Sequence, residues 1–382
     1  MLINIKGIIA PQLDQGARIV TAKYGQYPAM TTLIPVILAG GKGERFWPVS
    51  RLERPKQFIC LDGSGRSLLQ STADRLLKLT DDWDSLWVIT ASHLADLVRE
   101  QLPELPPANL LIEPVGRDTA PAVAWGTLEV AKRHGDDAVV GFFPADHWIA
   151  DDAAFCQTLR AATAMASTQG AIATLGITPT YPATGYGYIE QSDAVGTYGG
   201  LTAYQVSRFT EKPDLPTAEG FIASGRFSWN SGMFIFPAHI MLTELKTYAP
   251  DLIKPIIEAG VAAYQSMEKL SIDYAVMEKT DRSYVMPVSF GWDDLGDWNA
   301  VERLLKQGGQ KNVELATHVG LDTEGSIIYS SNQEEVVVTI GLEDVVVVRD
   351  GNATLVVRKD RTQEIKKVVQ LLRGEDRYKH LL

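Results

Sequence analysis

The chain has 382 residues, and its 36 Lys and Arg against 47 Asp and Glu give a formal charge of −11, an acidic balance that argues against a nucleic-acid binder. Hydrophobic residues at 45% and charged residues at 22% are globular values that exclude a disordered or coiled-coil protein; the length calls for a large core plus a smaller attached unit. No run of about 18 apolar residues offers a membrane-spanning helix, and Cys60 and Cys156 stand apart from any Cys/His cluster, so a cytoplasmic protein with reduced thiols is expected, with no membrane partner.

In chain order, residues 1–30 read as an extension of unclear role, because Pro11, Gln12 and Asp14 interrupt Ile8-Ile9-Ala10 too early for a signal peptide. Residues 33–39, 86–90, 110–112 and 138–143 then read as buried strands, with helical spacing at 68–79, 93–101 and 120–133. This alternation predicts an α/β, Rossmann-like, mostly parallel sheet flanked by helices, in which ligands bind beyond the carboxyl ends of the strands. The loops after Ala39, Ile112 and Phe143 are therefore where chemistry is expected. From about 170 the pattern is mixed, with strands at 171–176, 187–190, 204–210 and 233–236 and helices near 217–224, 255–268 and 272–278. Beyond the breaker Lys306-Gln307-Gly308-Gly309-Gln310 come short strands at 326–329, 335–340, 344–349 and 353–357. A closing helix at 362–372 carries Ile365, Val368, Val369 and Leu372 on one face. The expected division is 1–30, a catalytic domain at 31–306 and a small β-rich domain at 307–382, for which a short left-handed β-helix is one form without a decisive repeat.

The sharpest chemical signal follows the first strand: Ala39-Gly40-Gly41-Lys42-Gly43-Glu44-Arg45, then Pro55-Lys56-Gln57. Three glycines in so short a loop let backbone N–H groups approach phosphate oxygens, and Arg45 and Lys56 add cations. It is not a P-loop, since Gly43 precedes Glu44-Arg45, and not a dinucleotide fingerprint, since Phe46 stands at the third glycine position.

With further motifs the chain resembles the sugar-1-phosphate nucleotidyltransferases, and within them the mannose-1-phosphate guanylyltransferases. The motifs are Glu113-Pro114-Val115-Gly116-Arg117-Asp118-Thr119, Pro144-Ala145-Asp146-His147, Gly185-Tyr186-Gly187-Tyr188, Phe209-Thr210-Glu211-Lys212-Pro213, Trp229-Asn230-Ser231-Gly232 and Trp292-Asp293-Asp294-Leu295-Gly296-Asp297, in family order from Leu33 to the C-terminus. The resemblance implies transfer of GMP from GTP to mannose 1-phosphate, giving GDP-mannose and pyrophosphate. A phosphate monoester is largely ionised at neutral pH, its second pKa being about 6. The site then needs positioning and cations but no general base.

The resemblance assigns Asp146 and Asp294 to one Mg²⁺ (or Mn²⁺), with Asp293 a weaker neighbour, and implies that Asp297 caps or lines the pocket. Arg45 is implied for the β and γ phosphates and Lys56, as a mobile point charge, for the α-phosphate. Ala39, Gly40, Gly41, Gly43, Arg117 and Thr119 complete the nucleotide side. Glu113 would accept the adjacent N1–H and N2–H₂ donors of guanine. Lys212 would hold the sugar phosphate, with Glu211, Asn230 and the Gly187 backbone around the hexose, although Asn230 alone also reads as a turn cap. Asp118 stands where the family usually has Asn. Tyr186, Tyr188, Trp229 and Trp298 read as core packing, and His147 as a bystander. The tail either packs on the catalytic domain or joins a homodimer. Two alternatives remain: another nucleotide and hexose 1-phosphate pair on the same fold, or a non-catalytic GDP-mannose sensor, against which the joint presence of Arg45, Lys56, Asp146, Lys212 and Asp294 weighs.

Overall fold

The computed structural model describes residues 32–41, 43–80, 82–306 and 308–382; the extension expected at 1–30 lies outside the described residues. The chain runs β1 (Leu33–Ala39), α1 (Leu68–Thr80), β2 (Trp87–Ala91), α2 (Ala95–Gln101), β3 (Leu110–Glu113), α3 (Thr119–His134), β4 (Val139–Pro144), β5 (Trp148–Ile149), α4 (Asp152–Gln169) and β6 (Ile172–Ile177). It continues with β7 (Tyr188–Tyr198), β8 (Leu201–Thr210), α5 (Leu215–Ser224), β9 (Phe227–Pro237), α6 (Ala238–Tyr248), α7 (Pro250–Ala259), β10 (Ser283–Val288), β11 (Trp292–Asp293) and α8 (Trp298–Leu305). The last stretch holds β12 (Val313–Leu315), β13 (Thr317–Leu321), β14 (Ile327–Ser330), β15 (Val336–Ile340), β16 (Val345–Asp350), β17 (Ala353–Arg358) and α9 (Ile365–Arg373).

The main sheet has the order β3-β2-β1-β4-β9-β6-β10-β8-β7. β3, β2, β1 and β4 are parallel, as are β6 and β10, while β9 inserts antiparallel between β4 and β6. The apolar run of β1 is buried along almost its whole length because helices cover both sheet faces, giving two cores. Gly126 lets α3 lie close to the sheet: a Cβ there would come within 2.8 Å of Ile89. In the C-terminal part, β12, β14 and β16 pair in parallel, as do β13 and β15, so successive turns of chain stack. Val313, Ile327 and Val346 fill the inside of that stack.

The early strands and helices lie within a residue or two of expectation. Several later elements differ. β7 and β9 are longer than the apolar cores that mark them, because backbone pairing across their polar halves continues the ladder. The helix expected at 255–268 begins at Pro250, which suits a first helical position, and ends at Gly260, whose φ is +58°, before a 3₁₀ segment. The helix expected at 272–278 is a π-helical turn at Asp273–Met277. α4 has little helical signal in its sequence because Ala and Thr fill its buried side; Asp151 caps it by accepting from Ala154 N. In α9, Ile365 and Val369 are buried whereas Val368 is exposed, since the contact stripe is narrower than the apolar one.

Candidate active site

The register of the parallel strands brings the sequence motifs together. Leu38 lies opposite Pro144, and Ala145 N donates to Leu38 O at 3.0 Å, so the glycine loop after β1 and Asp146 after β4 leave the sheet side by side. Gln57 braces that loop by donating to the carbonyls of Ala39 at 3.2 Å and Gly41 at 3.1 Å. Thr90 Oγ1 also donates to Ala39 O, at 3.0 Å. Gly43 has φ +56°, and a Cβ there would overlap the Lys56 side chain, so only glycine fits the turn.

Lys56 is the centre of the arrangement. It is 5% exposed, and its ammonium meets Asp146 Oδ2 at 2.8 Å, the Asp294 carbonyl at 2.7 Å and the Leu295 carbonyl at 3.0 Å. Three acceptors match its three N–H donors, so it is fixed, and the expectation of a mobile point charge is corrected. Burial alone would raise the Asp146 pKa, but the charge and hydrogen bond of Lys56, with smaller contributions from neighbouring groups, together hold the carboxyl below its usual range. Burial pushes Asp294 up, partly offset by Lys56, and Tyr186 donates to its Oδ1 at 3.1 Å. Tyr186 therefore lines the site, where core packing was expected; Tyr188, Trp229 and Trp298 are buried in the core. Asp293 faces elsewhere, accepting from Leu295 N at 2.8 Å and pairing with Arg303 at 2.8 Å. Asp297 caps α8 through Asn299 N. Arg45 is exposed and donates to Gly296 O, two residues beyond Asp294, at 3.4 Å. His147, whose Nδ1 accepts from Trp292 at 3.1 Å, is held neutral by burial, its pKa pushed down to about 4.

A cleft of about 260 Å³ opens beside these groups, lined among others by Gly187, Glu211, Lys212, Asn230, Asp273 and Asp294. Lys212 pairs with Glu211 and has φ +38°, a strained backbone held between β8 and Pro213. A Cβ on Gly187 would stand 3.0 Å from Glu211 Oε2 and 3.5 Å from Asn230 Cβ, so a side chain there would push the Glu211 carboxylate aside. Asn230 does two things: its Oδ1 accepts from Gly232 N at 3.0 Å as a turn cap, and its Nδ2 donates to Asp273 Oδ1 at 2.9 Å. Asp273 carries no sequence motif; only the π-helical turn brings it into the cleft.

On the nucleotide side, Glu113 ends β3 and is 6% exposed, with its Oε1 unpartnered and a Cβ at Gly40 3.9 Å from its Oε2. Burial pushes its pKa up to about 7. The Tyr264 hydroxyl is near enough to be coupled to it, but both groups lack a well-formed hydrogen bond. Arg117 donates through Nε to the Tyr264 carbonyl at 2.9 Å and through Nη2 to the Gln265 carbonyl at 2.8 Å, bracing that loop. Asp118, at φ +70°, caps α3 through Thr119 N, and Thr119 Oγ1 accepts from Ile272 N at 2.9 Å at the cleft wall. The N-cap role explains why an Asp is tolerated where an Asn is usual.

The donors fit a divalent cation. The open side of Gly41 is faced by Asp146 Oδ2 and by Gln57 Oε1, at 3.8 and 3.9 Å from where a Cβ would stand, and that amide oxygen is buried without a partner. Among the described residues no group of three His, Cys, Asp or Glu is gathered. Two carboxylates suit a hard cation that takes its remaining ligands from phosphate and water.

The nucleotidyl transferase family profile matches residues 34–309, the span that contains every group just described. The chain belongs to this family. Its members generally use a divalent metal. A second profile, the MannoseP isomerase/GMP-like beta-helix domain, matches residues 316–372, in accord with the stacked parallel strands. The mannose-1-phosphate guanylyltransferase ManC of Salmonella typhimurium is 38% identical over 92% of this chain and 75% of its own length. The xanthan biosynthesis protein XanB of Xanthomonas campestris is 41% identical over 91% of this chain and 75% of its own. A Thermus thermophilus crystal structure titled mannose-1-phosphate geranyltransferase superposes with TM-score 0.80 at 34% identity, covering 90% of this chain and 99% of that one.

Proposed function

We propose that this chain is a mannose-1-phosphate guanylyltransferase, transferring GMP from GTP to mannose 1-phosphate and releasing pyrophosphate. The observation that carries the reading is the Lys56 ammonium between Asp146 and the Asp294 turn, at the edge of the cleft lined by Glu211, Lys212 and Asn230. It puts the two acidic turns and the cations on one side of a sugar-sized space. The relatives named for this activity support the choice of substrates.

In this reading Asp146 and Asp294 hold a divalent cation, Mg²⁺ or Mn²⁺, which when bound neutralises phosphate charge. Lys212 and Glu211 hold the sugar phosphate and hexose, with Gly187 closing over the ring and Asn230 kept in orientation by Asp273. The nucleophilic phosphate oxygen is already ionised and needs no base, and His147, with its pKa pushed down to about 4, is a weak one. Arg45 meets the departing pyrophosphate, where a planar guanidinium can hold two oxygens. Gly40, Gly41, Gly43 and Thr119 border the triphosphate, and Lys56 acts from a fixed position at the α-phosphate. Glu113 accepts the guanine donors. The enzyme is proposed to work in the cytoplasm; no described helix is long and apolar enough to cross a membrane.

The deciding assay is pyrophosphate release by purified protein with Mg²⁺, crossing GTP, ATP, UTP and dTTP with mannose and glucose 1-phosphates. The expected result is fastest release with GTP and mannose 1-phosphate, and none without a sugar phosphate. Preference for another pair would refute the specificity. No release with any pair, alongside GDP-mannose binding, would refute the enzyme reading in favour of a sensor.

A further inference from the structure

Two of the groups assigned to phosphate chemistry, Arg45 and Asp294, stand on turns that both rest on the C-terminal segment. Phe46 and Trp47 of the first and Leu295 and Trp298 of the second share one buried cluster with Ile365 and Val369 of α9. Apolar packing alone would leave the turns free to slide, but polar contacts at both ends of the segment are directional. Asp297, at the end of the Asp294 turn, accepts from Thr362 Oγ1 at 2.9 Å and Gln363 Nε2 at 2.6 Å. Asn299 closes the same network by donating to the Lys359 carbonyl at 2.9 Å and to Thr362 Oγ1 at 3.0 Å. At the other end Arg373 pairs with Glu44, the neighbour of Arg45, at 3.0 Å. The Leu381 carbonyl accepts from Trp47 Nε1 at 2.8 Å and from Arg51.

We infer that residues 359–382 form a clamp that sets the distance between the two catalytic turns, with Thr362 and Arg373 as its positioning residues. Thr362, only 1% exposed, aligns the cap of α8 and with it Asp294. Arg373 aligns the loop that presents Arg45. The C-terminal unit thereby contributes to turnover without touching substrate. This rests on the guanylyltransferase reading for its kinetic consequence, though not for its structural one.

The test uses Thr362→Val, which keeps the volume and removes the hydroxyl's hydrogen bonds, Thr362→Ser, which keeps them, and Arg373→Gln on the exposed side of α9. With GTP and mannose 1-phosphate, Thr362→Val should lower kcat about tenfold, because small misplacements of reacting groups are costly. KM for mannose 1-phosphate should stay within about twofold, since Glu211, Lys212 and Asn230 lie outside the shared cluster, and Thr362→Ser should behave as the parent. Arg373→Gln should lower kcat in the same selective way. Hydrogen exchange without ligand should accelerate at residues 43–51 in Arg373→Gln and at 293–299 in Thr362→Val. Unchanged kcat and exchange in both variants would overturn the clamp. So would a Thr362→Val defect that raises both substrate KM values together or that Thr362→Ser shares. If the parent protein transfers no nucleotide, the functional reading fails separately, and the exchange data alone decide the clamp.

Discussion

Replacing Glu113 by Gln should stabilise the ligand-free protein at alkaline pH while impairing its choice of base. Glu113 is 6% exposed with Oε1 unpartnered, and burial lifts its pKa from the ordinary 4.5 to about 7. A carboxyl whose folded pKa is raised favours the folded state while protonated; that advantage is complete below the unfolded pKa and is lost as pH rises through the folded one. Here the loss falls between pH 4.5 and about 7. At about 1.4 kcal/mol per pKa unit, the ionised form costs about 3 kcal/mol above that window. Gln keeps the shape without the charge, so urea midpoints of the two proteins should agree near pH 5 and diverge until Glu113→Gln is about 3 kcal/mol more stable at pH 8.5. The cost is consistent with a carboxylate kept for a donor pair that arrives with the nucleotide. In the variant, preference for GTP over ATP should fall by about 10–100-fold, the value of one lost hydrogen bond to a charged acceptor. Stability profiles that stay parallel from pH 5 to pH 8.5 would refute the buried-charge argument, and an unchanged GTP preference would refute the base-reading role.

Asp146→Asn and Asp294→Asn should each lower kcat by about 10²–10³-fold in steady-state assays with the fold retained. They should differ in stability: Asp146→Asn strands the Lys56 ammonium and should cost about 1–3 kcal/mol in urea unfolding, whereas Asp294→Asn removes a carboxylate that burial already disfavours and should cost little. Lys212→Ala should chiefly raise KM for mannose 1-phosphate, leaving KM for GTP nearly unchanged. Gly43→Ala places a Cβ on the Lys56 side chain at φ +56° and should lower stability by more than about 1 kcal/mol, with kcat falling as Lys56 is displaced. An Ala variant with parent stability and kcat would remove the steric account of that glycine.

The first half of the sheet and the family are legible in the linear chain. Buried parallel strands read as unbroken apolar runs, and the loop proposed to cradle phosphate is written locally as Gly40-Gly41 with Gly43, Arg45 and Lys56. Whatever depends on contacts between distant segments was decided only in three dimensions. Lys56 reads as a mobile point charge, and becomes a fixed one because the Asp294 and Leu295 carbonyls arrive from a distant part of the chain. Arg117 lies in a sequence motif, and only the fold shows that two of its donors also brace the loop of Tyr264 and Gln265. Asp273 has no local signature at all, since its place beside Asn230 comes from a π-helical turn that side-chain periodicity does not encode. The grip of Thr362 and Arg373 on the two catalytic turns is likewise invisible in one dimension. Local sequence specifies backbone shape and chemical type, whereas donors and acceptors find their partners only when packing brings remote segments within about 3 Å.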